Sequence, residues 1–382
     1  MAPVGQRFLP SETVAPDIVG ATDGQLVLPA TMRAVVLTGP NQHEIREDVP
    51  VPHPGPLEVL SKVDSVAICG TDLHIYEGRF PGRWPKSYPF IAGHEWSGTV
   101  VEVGAGAAEL GWRVGERVAG TSHAGCGACR MCRTGRYNLC ENYGREPLHH
   151  QYGHYSQGAN AEYVVHSIKS VFPLPDALEL HYGAMLDTAS IALHSVKRPG
   201  IEPGDFVVVV GAGPMGFLIA DCALALGAGQ AILTGSGERL DRASQLGFVT
   251  IDYRTQDPVA EVRRLTEGKG AHVAIDAAGT QASIRQAVDV LRKGGRVAFT
   301  GVPTEGDTAL PMQKIVLEEI DLFGVRANRN TMEEVMPLVV SGRVRIKPLV
   351  THTFPLADYG TALHTFGDRI DGALKVLVKP GV

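Results

Sequence analysis

Phe206-Val-Val-Val-Val-Gly211-Ala-Gly213-Pro-Met-Gly216 is an apolar run that leads directly into a G-x-G-x-x-G motif. Apolar residues up to Val210 read as a buried strand, the glycines as a tight turn, and the residues after them as a helix. In that order the backbone can approach a dinucleotide pyrophosphate, and the helix N-terminus favours its negative charge. The candidate contacts are Gly211, Gly213, Pro214, Met215 and Gly216; the bland alternative is a glycine-rich turn without a ligand. Around the motif, strands such as Ala231–Leu233 and Val273–Ile275 alternate with helical segments at Gly213–Leu226 and Ala282–Arg292. Such alternation predicts an α/β fold with a doubly wound parallel sheet, here over residues 188–327. Cys222 falls inside the first helix and reads as core packing.

The texture upstream is different. Between residues 32 and 187 short β-type runs, including Met32–Leu37, Glu58–Val63, Ser97–Val103 and Arg117–Gly120, are separated by glycine and proline. No sustained helical period intervenes, so an all-β, barrel-like domain is expected. The tail from about Thr331 is mixed again and could return to that first domain. With 382 residues the chain can bury two cores. A net charge of −6 without a long basic run argues against a nucleic-acid partner. Phe206 to Gly229 is the most membrane-like window, but its central glycines and proline favour strand–turn–helix over a membrane span. The first 31 residues carry four prolines and lack a basic start followed by an apolar core. They read as a surface-wrapping or partly disordered extension rather than a secretory signal, which makes the expected location cytoplasmic.

Two clusters carry metal chemistry. Cys126, Cys129, Cys132 and Cys140 have the spacing C-x2-C-x2-C-x7-C and use four of the six cysteines. Four thiolates from one loop can close a tetrahedral shell around zinc. An iron–sulfur loop would have a shorter last gap followed by proline, whereas Glu141 follows Cys140. Paired disulfides would suit a small secreted domain. The second cluster joins Cys69-Gly-Thr71-Asp72-Leu-His74, Gly93-His94-Glu95 and Asp187. Cys69, His94 and either Asp187 or Glu95 offer the three protein ligands of a catalytic zinc with one open position. Taken singly, Cys69 and His94 read more simply as core residues.

These motifs, in this order, resemble the zinc-dependent medium-chain dehydrogenase/reductase superfamily of alcohol and polyol dehydrogenases, from about residue 32 onward. Lys347-Pro-Leu-Val-Thr-His352 further resembles its sorbitol-type and threonine-type members. The resemblance implies a GroES-like β-barrel catalytic domain at residues 32–187, completed by residues 328–382, with the active cleft against the dinucleotide domain. It implies that Cys69 and His94 are catalytic zinc ligands, with Asp187 at the usual third position, seven residues before His194, and Glu95 as an exchangeable neighbour. Thr71 would accept the substrate proton, His74 would relay it, and Asp72 would orient a ligand, although Asp72 also reads as a loop cap. Gly301, Val302 and Pro303 resemble the patch that receives the nicotinamide carboxamide. The implied reaction is reversible oxidation of a secondary, polyol-like alcohol with NAD or NADP. Alternatives are a ketone reductase acting on a cyclitol or secondary metabolite, and a non-catalytic nucleotide sensor. A homotetramer, with two zinc ions per chain, is expected from the same resemblance.

Cofactor choice and substrate stay open. The acid expected about 20 residues past the glycine motif is missing; Thr234 occupies its place when counted without gaps, with Arg239 one turn on. Both cofactors are therefore expected to bind within about tenfold of each other, and Thr234→Asp to shift preference toward NAD. Where sorbitol-type relatives carry Arg-Tyr, this chain has Ala327 and Asn328, flanked by Arg326 and Arg329, so sorbitol itself is in doubt. The stretch from Glu146 to Tyr155, rich in His and Tyr, is expected either to line the cleft or to form a solvated loop.

Overall fold

The computed structural model describes residues 27–303 and 307–382; the expectation for the N-terminal extension falls largely on residues 1–26, outside that description. Phe206–Val210 is buried on both faces and forms the third strand of a six-stranded parallel sheet. The strand order is Val249–Asp252, Gln230–Gly235, Phe206–Val210, Ala271–Asp276, Leu291–Phe299, Asp321–Gly324. Chain order reverses beside Phe206–Val210, and ligands of doubly wound sheets bind at the carboxyl end of such a switch point. The turn that leaves this strand is Gly211–Gly213, and the helix Pro214–Ala225 begins on a proline that needs no hydrogen-bond partner there.

A helix predicted to run through Arg292 stops earlier, at Asp289. Leu291 is already paired with Ala271, so sheet register wins over helical periodicity at that boundary.

Upstream, Glu58–Ala67 organises a seven-stranded sheet. One of its edges pairs antiparallel with Glu95–Val103. Its other edge is shared: Tyr163–Ser167 covers the first half, and the late strand Lys375–Lys379 pairs at Val66 and Ala67. The chain's last strand thus lies beside the residues that lead into Cys69, where Ile68 N–H donates to Val376 O at 2.9 Å.

The helix Leu186–Lys197 joins the two sheets. Leu186, Ala189, Ala192, Leu193 and Val196 belong to one apolar cluster with Ala67 and Ala119 on one side and Val207 and Val209 on the other. Its burial is nearly complete, so it acts as a rigid post at the seam. The membrane-like window resolves into strand, turn and helix, and among the described residues no helix is long and apolar enough to cross a membrane.

Candidate functional site

Cys69 stands where the strand Glu58–Ala67 gives way to the short helix Gly70–Tyr76, and serves as that helix's N-cap. Its N–H donates to Asp72 Oδ2 at 2.8 Å, so Asp72 closes the turn. The other oxygen of Asp72 lies 3.4 Å from His94 Nδ1, both groups being buried. The carboxylate that caps the loop thus also faces an imidazole at ion-pair distance. This raises the His94 pKa well above its ordinary value, although burial pulls the other way.

With Nδ1 held, His94 Nε2 faces the far side, 4.0 Å from Glu95 Oε1. The ligand atoms of Cys69, His94 and Glu95 all lie within 4.8 Å of one another. Sulfur, nitrogen and oxygen donors at that span fit a zinc ion bonded at roughly 2.0–2.3 Å, and the carboxylate behind His94 is the usual orienting partner.

Asp187 does not join that group. It is buried on the first turn of Leu186–Lys197, and its Oδ1 accepts a 2.9 Å hydrogen bond from Asn328 Nδ2. Burial pushes its carboxyl up to about 7. The offset from His194 fixes Asp187 to the start of this helix but leaves its side chain free to turn. Here it turns toward Asn328, while His194 Nδ1 pairs with Ala327 O at 2.7 Å. Sequence reasoning missed Lys375, which is buried and ion-paired with Glu95 Oε2. The available signal was a lone lysine in the apolar run Leu374-Lys-Val-Leu-Val378.

Thr71 and His74 are half-buried, and at i and i+3 they share one face of the Gly70–Tyr76 helix. Thr71 Oγ1 lies 3.8 Å from Cys69 Sγ, so this face starts beside the metal-ligand cluster. Burial lowers the His74 pKa from its ordinary value, with the nearby Arg79 charge acting in the same direction.

In the cysteine lobe, Cys126 Sγ and Cys132 Sγ are 3.9 Å apart, as are Cys129 Sγ and Cys140 Sγ. A tetrahedral zinc with bonds near 2.3 Å sets its sulfurs about 3.8 Å apart. All four thiols are free, and the N–H groups of Cys129 and Cys132 donate to Cys126 Sγ and Cys129 Sγ at 3.3 and 3.4 Å. The lobe docks on the Arg326–Asn330 loop: Tyr137 Oη donates to Asn328 Oδ1 at 2.7 Å, and Asn138 Nδ2 donates to Arg326 O at 2.8 Å.

Across the seam, a Cβ on Gly216 would sit 1.9 Å from Gly211 O, so helix and turn could not pack as closely with any other residue. Gly213 is different: a Cβ there would meet only Arg239 Nη1, at 3.9 Å, which leaves room for phosphate. These two observations fit a dinucleotide, and Pro214 and Met215 complete the first turn above it. Gly301 abuts the Gly279 turn so closely that a Cβ would lie 2.2 Å from Gly279 N, and Val302 and Pro303 are exposed.

Thr234 contradicts its expected role. It is buried, and its Oγ1 accepts a 2.7 Å hydrogen bond from Gln286 Nε2, away from the glycine turn. Successive residues of a strand point to opposite faces. Gly235 is accordingly the residue that faces the turn: its Cβ would meet Ala212 Cβ at 2.7 Å. Arg239 donates twice to Ala373 O, at 2.9 and 3.3 Å, so its guanidinium is committed beside Gly213.

The stretch from Glu146 to Tyr155 is split: Glu146, Pro147 and Leu148 are exposed, whereas His149, Tyr152, His154 and Tyr155 are buried. Of these, His154 reaches the metal-ligand cluster, with its ring 4.5 Å from that of His94 and 4.9 Å from Trp84. Arg326 and Arg329 line a cavity with Arg136, Arg198, Asn138 and His194.

Comparison with known proteins places these features in context. Residues 55–176 match the family described as "Alcohol dehydrogenase GroES-like domain", and residues 214–341 the family "Zinc-binding dehydrogenase". A sorbitol dehydrogenase from Bacillus subtilis (strain 168) is 33% identical over 359 residues, covering 92% of this chain and 98% of the relative. The alcohol dehydrogenase of Thermus sp. ATN1 superposes with a TM-score of 0.83 at 32% identity, covering 91% and 99% of the two chains. A zinc-binding dehydrogenase from Sinorhizobium meliloti 1021, solved with NADP bound, superposes with a TM-score of 0.83 at 29% identity, covering 92% and 100%.

Proposed function

The chain belongs to the zinc-type medium-chain dehydrogenase/reductases, and from that membership we propose how its residues divide the work of a polyol-type oxidoreductase. It is a zinc-dependent enzyme that uses a nicotinamide cofactor. In our reading Cys69, His94 and Glu95 hold a catalytic zinc, and Cys126, Cys129, Cys132 and Cys140 hold a structural one. The observation that carries this reading is the convergence of Cys69, His94 and Glu95 within 4.8 Å. When bound, zinc supplies a Lewis acid for an alcohol oxygen, and the nicotinamide is the electron acceptor.

Asp72 fixes the His94 ring so that Nε2 faces the substrate side. Thr71 Oγ1 would accept the alcohol proton as its own hydroxyl proton is passed onward, and the His74 ring, one turn along the same face, would take that proton and release it to solvent. Lys375 balances the Glu95 carboxylate in a buried setting where an unpaired charge would be costly. The glycine turn and the Gly301–Pro303 patch hold the two ends of the cofactor.

The substrate is a secondary alcohol or the matching ketone, polyhydroxylated in our reading. Asn328 is occupied between Tyr137 and Asp187, which disfavours a hydroxyl contact of the kind an Arg-Tyr pair would make and so disfavours sorbitol itself. Reduction of a cyclic polyhydroxy ketone, the same chemistry run in reverse, is the second reading. Six free cysteines fit a reducing, cytoplasmic setting. A homo-oligomer, a tetramer in our reading, is supported by apolar exposure on the helix Met312–Leu317, which precedes the sheet-edge strand Asp321–Gly324 in the chain: Met312, Val316 and Leu317 are 56%, 67% and 72% exposed.

The test is a panel of secondary alcohols and ketones with both nicotinamide cofactors, followed through the absorbance of the reduced ring. Turnover of polyols or cyclic ketones by zinc-replete enzyme is expected. Tight nucleotide binding without turnover of any member would favour a non-catalytic nucleotide sensor.

A further inference from the structure

The end of the strand Gln230–Gly235 bears on which cofactor the enzyme takes. The residue turned toward the glycine turn is Gly235, so nothing there can accept the ribose hydroxyls or repel a phosphate. The next loop runs alongside: Gly235 pairs with Asp252, and Tyr253 N–H donates to Gly235 O at 3.2 Å. Two side chains of that loop reach the open end. Ser236 Oγ donates to Tyr253 Oη at 2.8 Å, which leaves the phenolic proton free to donate elsewhere. The Arg254 guanidinium lies 3.8 and 4.0 Å (Nη1 and Nη2) from the position a Cβ on Gly237 would take.

Arg254 has no carboxylate within 4.0 Å of its guanidinium among the described residues. The acids around Arg254 are otherwise engaged, and Asp257, three residues on, caps the helix Pro258–Leu265 by accepting from Val259 N–H at 2.9 Å. Asp252 Oδ1 accepts from the Arg254 backbone N–H at 2.9 Å, and Glu238 Oε2 is turned to Gly372, 3.5 Å from the Cβ position there. Gly237 caps the helix Glu238–Gln245 in a left-handed conformation, φ 66°, and without a side chain it leaves the first N–H groups unclaimed by a cap.

We infer that Arg254, with Tyr253 and the N–H groups after Gly237, forms a pocket for the 2′-phosphate of NADP, making this enzyme NADP-preferring. Arg254 is the specificity-determining residue, because an unpaired guanidinium matches a phosphate dianion in charge and in fork geometry. The inference rests on the dinucleotide reading of the glycine turn and goes beyond it by separating the two cofactors.

Calorimetric titration with adenosine 2′,5′-bisphosphate and with adenosine 5′-monophosphate reads the pocket without any catalysis. Wild-type enzyme should bind the bisphosphate at least tenfold more tightly, about 1.4 kcal/mol. Arg254→Ala should remove most of that margin and leave the monophosphate unchanged; Arg254→Lys should retain part of it. Arg254 is exposed, and unaltered melting of the variants would show that the fold persists. Equal affinity for both nucleotides in wild type, or an Arg254→Ala variant that keeps the full margin, would overturn the inference while leaving the dinucleotide site standing. Binding of neither nucleotide, nor of NADH, would overturn that underlying reading and the inference with it.

Discussion

Glu95 and Asp187 are both buried carboxylates near His94, and only their side-chain directions tell them apart. Glu95 Oε1 faces His94 Nε2, whereas Asp187 gives one oxygen to Asn328. Glu95→Gln is therefore expected to weaken zinc binding tenfold or more, and Asp187→Asn to leave it within about threefold. Competition with a chromogenic chelator measures both, and the reverse ranking would return the third position to Asp187. Lys375 permits a sharper test. Lys375→Met strands Glu95 in the interior, and breaking a buried pair costs about 3–5 kcal/mol. Bound zinc would absorb part of that charge, so urea unfolding should reveal a larger loss in the metal-free protein than in the zinc-loaded one; equal losses would sink the idea. Cys69 and His94 were legible as candidate ligands from the combination of their residue types, and Asp72 only through the family resemblance that combination carries. Lys375 was not, because its partner lies 280 residues away and only the pairing of Val66 and Ala67 with the last strand brings them together.

At the scale of elements, the cysteine lobe, proposed above to hold a structural zinc, is also a tie. Tyr137 and Asn138 anchor the loop that carries Asn328, and Asn328 in turn holds Asp187 at the start of the seam helix. Replacing Cys129 by Ser should lower the melting temperature and loosen this loop, because a structural site couples metal binding to folding. Hydrogen exchange at residues 326–330 should rise in the variant; a melting curve and an exchange pattern like those of wild type would contradict the tie. The lobe's spacing was fully readable, and so were the strand, turn and helix at Phe206–Ala225, since local pattern alone specifies them. The error at Thr234 came from counting along a strand without knowing its facing: one residue of offset turns a side chain to the other side of the sheet. The helix overrun at Arg292 has a related cause, since Leu291 is claimed by pairing with Ala271.

For the whole molecule, buried imidazoles set the acid limit. Burial holds His123 and His166 neutral, far below their ordinary pKa, and lowers His149 to about 4. His166 is stacked on Tyr152 and edge-on to Trp96, with no protein partner for either ring nitrogen. The unfolded chain binds protons at these sites below pH 6.5 while the folded chain does not, so their stabilising effect is complete above about pH 6.5–7 and is lost as pH falls toward 4. With zinc in excess, the melting temperature should fall steeply over that window, and less steeply for His166→Phe. Identical slopes would mean that metal loss alone drives acid unfolding. The account as a whole stands on two metal sites with separate duties, and one measurement reaches it directly: zinc per subunit by mass spectrometry, together with turnover, in wild type, Cys69→Ala and Cys129→Ser. The expected result is two equivalents in wild type and about one in each variant, with Cys69→Ala inactive and melting close to wild type. Wild-type turnover in Cys69→Ala, or a fully active wild type with a single equivalent of zinc, would contradict it.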